Sequence, residues 1–373
     1  MNRRSFIHGT SAIGGLAWLT ALAEPAPESG NTPAAKKEGI FSLASKKPER
    51  YPGGTLREMT AADFPAIPNM ASALMELEPG GMRGLHWHKT AAEMGYVLNG
   101  RGVLTVIDAQ NNSEVGLIKE GDLYYVPVGF AHSLVCLGEQ PCKLMLVYDD
   151  GITVETNAMH ATDWIKGERA EILTAILGIP GEPLRQGAAR IPVISRGKRL
   201  LEVPQHTHGP APRAPSSFRY PLGQMTPVTS PGGTFVQASK NDFPMSLTMV
   251  GARTELYPHG VREPHWHPNA DEWDFVISGR AIITIFEGGD HFTEVELGPG
   301  DVGFLKRNAA HAVETVGDEP FVLLSVFNAD TFQAIGMSGM LIGAPGELIG
   351  QNLGIPEATV NDITKEKRFI TKM

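Results

Sequence analysis

The chain has 373 residues and a formal net charge of −9, with 42 glycines, 28 prolines and two cysteines. The acidic balance excludes a broad basic face for a nucleic-acid backbone. Two cysteines exclude a cysteine metal cluster, and no stretch beyond the N-terminal leader is apolar enough to span a membrane.

In chain order, Arg3-Arg4-Ser5-Phe6 precedes an apolar run over residues 12–22, and Ala21-Leu22-Ala23 has the small-x-small form of a cleavage site. Residues 1–23 therefore read as a twin-arginine export signal, which places the mature protein in the periplasm or outside the cell. Residues 24–50, rich in Pro, Ala, Ser and Lys, read as a flexible arm. A first domain is expected over 51–180. Residues 95–98, Asn99-Gly100 and residues 101–107 predict a hairpin with a tight turn. Further strands follow at 122–127, 133–135 and 143–148. Cys136 and Cys142 flank a turn, where a disulfide and two free thiols are both open readings. Residues 163–177 carry apolar residues at helical spacing. Residues 181–229, dense in proline and basic residues, read as a linker. The linker's His206-Thr207-His208 has no carboxylate at ligand spacing and reads as an exposed loop. The second domain and tail cover 230–373.

The two domains are one unit written twice. Pro52-Gly53-Gly54-Thr55, Asp63-Phe64-Pro65 and Arg83 recur as Pro231-Gly232-Gly233-Thr234, Asp242-Phe243-Pro244 and Arg262, at a constant offset of 179 residues. His86, His88, Glu93 and His132 recur as His265, His267, Glu272 and His311. Many short strands in each copy predict an all-β chain of two tandem jelly-roll barrels, with short helices closing each repeat. Residues i and i+2 of a strand share a face, so His86 and His88 project together and Trp87 projects away. Glu93 needs a turn to rejoin them, which residues 89–92 can supply. Three imidazoles and a carboxylate, with positions left open, suit octahedral Mn or Fe(II) better than a closed zinc site.

These residues resemble a known family. Gly80, His86, His88, Glu93 and Gly100 fit the first cupin motif, and Gly121, Pro127, Gly129 and His132 the second. Within bicupins the chain is most similar to the oxalate decarboxylases, in Arg83-Gly84-Leu85-His86-Trp87-His88 and in Arg262-Glu263-Pro264-His265-Trp266-His267. The resemblance implies two Mn ions per chain, one on each His3Glu set, dioxygen as co-catalyst, and a homotrimer or hexamer. It implies Arg83 and Arg262 as substrate-binding residues and Glu155 as the proton-carrying glutamate of a lid. The implied reaction is decarboxylation of oxalate to formate and carbon dioxide in the first domain, with Arg83 and Glu155 catalytic. At the constant offset Glu155 corresponds to Ala334, the family's second glutamate maps onto Ser325, and Lys306 and Asn308 replace Pro127 and Gly129, so the second domain reads as a degraded copy. An oxalate oxidase, another bicupin dioxygenase and a non-enzymatic metal-binding bicupin are the competing readings.

Overall fold

The computed structural model describes residues 39–205, 217–363 and 365–373. The export signal and His206-Thr207-His208 lie outside the described residues. Among those described, no helix is long and apolar enough to cross a membrane.

Each repeat folds as two facing antiparallel sheets. In the first repeat the inner pair is a seven-stranded sheet, centred on Glu93–Asn99 and Cys142–Tyr148, and a six-stranded sheet, centred on Gly81–Trp87 and Ala131–Cys136. The second repeat does the same with Glu272–Ser278 and Phe321–Phe327 facing Gly260–Trp266 and Ala310–Thr315. The strand Cys142–Tyr148 shows why its sequence is apolar almost throughout. Leu144 and Leu146 point into the first barrel's core, while Met145 and Val147 point into a separate core shared by both repeats. Alternate residues of a strand face opposite ways, so a sheet covered on both faces needs apolar residues at nearly every position. Trp273, Phe275, Leu324 and Val326 supply the second repeat's side of that shared core.

The structure corrects several sequence expectations. Residues 95–98 and 101–107 are strands but not a hairpin. Glu93–Asn99 pairs with Cys142–Tyr148 and Leu123–Val126, whereas Arg101–Ile107 belongs to the facing sheet. Gly100, at φ 78°, turns the chain from one sheet to the other, and a Cβ there would sit 2.3 Å from the Pro141 carbonyl oxygen. The segment read as a flexible arm, 24–50, contains the strand Ile40–Ser42, which pairs with Asp301–Leu305 of the second repeat. The segment read as a linker contains the helix Gly181–Ala188 and the strand Ile194–Arg196, which pairs with Gly81–Trp87. Its end, Arg219–Tyr220, pairs with Leu123–Val126 of the first repeat. Each repeat therefore lends an edge strand to the other, and buried backbone groups that would be left open find partners. The helical spacing at 163–177 becomes two helices, Ala161–Gly167 and Ala170–Leu177. Cys136 and Cys142 are buried free thiols.

Candidate metal centre

The strand Gly81–Trp87 carries His86, and the chain leaves the strand at His88. The following loop crosses to the facing sheet, where Glu93 opens its strand pointing inward. His132 arrives on the neighbouring strand, directly paired with His86. All four side chains are buried. Their ligand-capable atoms, with one from Glu155, lie within 4.8 Å of one another. Trp87 points out and meets Trp164 edge-on at 6.0 Å.

Two of the three imidazoles are oriented from behind. His86 Nδ1 lies 2.8 Å from the Gly84 carbonyl and His132 Nδ1 lies 3.1 Å from that of Phe130. A carbonyl can only accept, so each Nδ1 carries the proton and each Nε2 lone pair faces the centre, the arrangement a metal-binding histidine requires. Nε2 of His86 is buried without a hydrogen-bond partner, which a cation at the centre would remedy. Tyr124 donates to Glu93 Oε1 at 2.5 Å and leaves Oε2 facing His88 and His132 at 3.0 and 3.3 Å.

The charges make the same demand. Burial and then Arg83 push the His86 pKa down to about 3, so it is neutral and free to coordinate. His88 is buried as well, yet the hydrogen bonds it donates to Glu155 and Glu93 pull its pKa up to about 9. Two carboxylates packed this close need a positive charge between them, and without a metal the proton on His88 supplies it. A divalent cation would displace that proton. The donor set thus fits the metal.

Glu155 begins a short 3-10 turn, residues Glu155–Asn157, and is fully buried. Its Oε2 accepts from Arg83 Nε, its Oε1 accepts from Tyr148 at 2.6 Å, and its backbone carbonyl accepts from Arg83 Nη2 at 2.6 Å. The carboxylate oxygens stand 3.3 Å from Nε2 of His86 and of His88. Arg83 and the histidines hold the carboxyl well below the usual range despite its burial. The acid thus stands against the centre.

The second repeat gathers His265, His267, Glu272 and His311 in the same way. His265 pairs with His311, and the Nδ1 atoms of His265, His267 and His311 face the carbonyls of Glu263, Gln333 and Ala309 at 2.8, 2.6 and 2.9 Å. Its second motif is not degraded in shape. Asn308 takes the left-handed φ of 68° that Gly129 takes at 78°, a conformation asparagine tolerates. Its N–H donates to the His267 carbonyl at 3.0 Å, as Gly129 does to that of His88. The segment that follows the last barrel strand is what differs. Met159 pairs with Trp87, 72 residues on, while Ile335 pairs with Trp266, 69 residues on. The second segment is three residues shorter, so the constant offset that sets Glu155 opposite Ala334 does not hold through to Ile335. Among the described residues around the second centre, no acid takes the place of Glu155, and Phe332 and Phe327 pack on His267 instead.

The Cupin family model matches residues 41–185 and 222–361. The oxalate decarboxylase OxdC of Bacillus subtilis is 32% identical over 347 residues, 93% of this chain and 89% of that protein. A probable oxalate decarboxylase of Arthroderma benhamiae is 29% identical over 374 residues, 99% of this chain and 89% of that protein. A structure of the B. subtilis enzyme at pH 4.6 superposes with a TM-score of 0.83 at 31% identity, covering 93% of this chain and 90% of that one. Another, from work on that enzyme's Mn(II) centres, gives 0.82 with 93% and 91% covered. The chain is a bicupin of the oxalate decarboxylase family. In this bicupin the sequence left one buried acid unnoticed. Asp274, two residues beyond Glu272, takes a hydrogen bond from Ser325 at 2.5 Å, and burial and Glu272 raise its pKa well above the usual range. The first repeat has Gly95 there, because a Cβ would strike the Tyr124 ring at 2.1 Å. An aspartate at a strand position whose repeat partner is glycine was the available signal.

Proposed function

We propose that this bicupin is a Mn(II)-dependent oxalate decarboxylase whose chemistry runs in the first repeat, with Glu155 as the proton carrier. Mn(II), held by His86, His88, Glu93 and His132, would supply Lewis-acid charge for the dianion and, with dioxygen as co-catalyst, one-electron chemistry. Arg83 meets a substrate carboxylate with two parallel donors. Glu155 takes the proton of hydrogen oxalate, the carbon–carbon bond breaks, carbon dioxide leaves, and the same proton returns to the remaining carbon to give formate. Closure of the lid keeps bulk water from that carbon.

The observation that carries this reading is Glu155 itself. It is a fully buried acid between Arg83 and the ligand nitrogens, in one repeat and not in the other. The test is to load the protein with Mn(II), supply 13C-oxalate under air, and measure formate and hydrogen peroxide. One formate per oxalate is expected. Peroxide with two carbon dioxides would instead make the protein an oxalate oxidase, and no consumption of oxalate would remove the substrate assignment.

Location and assembly rest on other features of the chain. Arg3-Arg4-Ser5-Phe6 and the apolar run behind it support export by the twin-arginine route, which carries proteins already folded around their metal. Exposed apolar side chains on the terminal helices of both repeats, Trp164, Ile176 and Leu177 in one and Met340, Leu348 and Leu353 in the other, support a homotrimer or hexamer.

A further inference from the structure

The two repeats carry the same arginine beside the same ligands but give it different companions. Residue pairing fixes the correspondence, since His160 pairs with His86 as Gly336 pairs with His265. Size is exchanged between two places. The first repeat has Gly84 and His160, and the second has Glu263 and Gly336. A Cβ on Gly336 would fall 2.1 Å from Glu263 Oε1, so a side chain there is incompatible with Glu263, whereas a Cβ on Gly84 meets nothing within 4 Å.

The companions have different charges. Glu263 Oε1 lies 3.9 Å from Arg262 Nη1, both side chains are buried, and the guanidinium sits over the Phe369 ring at 3.6 Å. Arg262 is therefore partly neutralised from its own strand. In the first repeat Arg83 Nη1 lies 3.0 Å from His160 Nδ1 and 3.4 Å from the Val193 carbonyl. A guanidinium can only donate, so His160 Nδ1 is the acceptor and carries no proton. The remaining donors of Arg83, Nε and Nη2, point at Glu155.

We propose that His160 is a positioning residue for the decarboxylation assigned above. It grips Arg83 by Nη1, aims the Nε–Nη2 edge, which meets Glu155 in this structure, at the place where a substrate carboxylate must sit, and adds no second anion to that of Glu155. Glu263 withholds Arg262 from anions in the second repeat. A guanidinium offers its donors in a rigid fork, so fixing one end fixes the other. His160 is itself held by the strand ladder to His86, so the grip on Arg83 is registered to a metal ligand.

The inference rests on the proposed function only through the choice of oxalate as probe. The Mn-loaded full-length variants His160→Ala, His160→Asn and His160→Glu separate the terms. Asn places an uncharged acceptor near the position of Nδ1, and Glu keeps an acceptor but adds the charge that Glu263 carries. The His160→Ala variant should raise KM for oxalate by about tenfold or more, the scale of a hydrogen bond to a charged group, with kcat nearly unchanged. The Asn variant should recover most of that loss, and the Glu variant should not. If Ala and Asn behave alike, if Glu binds oxalate as tightly as the parent, or if kcat alone falls, His160 does not position Arg83. Calorimetric titration with oxalate reads the same order of affinities without turnover. A parent protein that binds oxalate but makes no formate would therefore sink the assigned reaction and still leave this ranking to be read. Should the Ala variant fail to fold, Asn against Glu still ranks an uncharged acceptor above a charged one or overturns the proposal.

Discussion

Replacing Glu155 by glutamine changes one atom in the middle of the first centre. The amide oxygen can still accept from Tyr148, now at 2.6 Å from Oε1. The amide nitrogen then takes the place of Oε2, facing Arg83 Nε and His86 Nε2. Two losses follow. The proton carrier is gone, and a positioned acid–base group is worth about 10²- to 10⁴-fold in rate, or roughly 3–5 kcal/mol of barrier. Arg83 also loses its buried anion, and breaking such a pair costs about 3–5 kcal/mol of stability. The lower end applies, because Arg83 keeps the Glu155 carbonyl, His160 and Val193 as acceptors. Formate production from 13C-oxalate should fall by about a hundredfold or more, with lower thermal stability and a residue of turnover shifted towards peroxide. Elemental analysis for Mn completes the assay. Glu155 is not proposed as a ligand, although its carboxylate lies among the donor atoms, so metal content should hold. Metal loss would make Glu155 a fifth ligand. Near-parental formate production with metal retained would refute the proton-carrier role.

Glu272→Gln should lower metal content from two ions towards one and reduce thermal stability, because metal binding is coupled to folding. Arg262→Met should keep most turnover, and a collapse of turnover with the first centre loaded would move the chemistry to the second repeat. Burial and then Cys136 push the Cys142 thiol up to about 12, so neither cysteine should react with iodoacetamide at pH 8 in the folded protein. Both should be labelled in denaturant without reductant, and failure there would reveal a disulfide. Changing Arg3-Arg4 to Lys-Lys should hold the precursor in the cytoplasm, with continued export counting against the twin-arginine route. Light scattering should give three or six times the chain mass, and a monomer would leave the exposed helices unexplained.

The ligand sets were legible because a fixed spacing between rigid strands survives duplication. Chance seldom places His-Trp-His, a later glutamate and a later histidine twice at one offset. The same constancy misleads at the lid. A constant offset holds only where no residue is lost, and the pairing of Met159 and Ile335, not the numbering, shows that three residues disappeared before them. Local turn chemistry at Asn99-Gly100 announced a turn but not which sheet would receive the next strand, a choice made by core packing. The exchanged edge strands, Ile40–Ser42 and Arg219–Tyr220, are too short to show a period. Phe41 and Leu43 do continue the 179-residue offset to Tyr220 and Leu222, a faint sign that the repeat begins before Pro52.

The two centres share ligands and differ in what surrounds them, and the differences are coordinated. Tyr148, whose hydroxyl holds Glu155, stands where the second repeat has Phe327. Losing the acid removes the need for its donor, and keeping the donor without the acid would bury an unpaired hydroxyl at a cost of about 1–3 kcal/mol. Phe327 and Phe332 instead close over His267 and leave a cavity of about 30 Å³ beside the ligands. At roughly 10–15 Å³ per enclosed water that is room for two or three waters. Arg262 lines that cavity, but its Nη1 is turned towards Glu263 and the Phe369 carbonyl and its guanidinium stacks on the Phe369 ring. Acid, donor and arginine companion all depart together, while the three histidines and the glutamate are kept in both repeats.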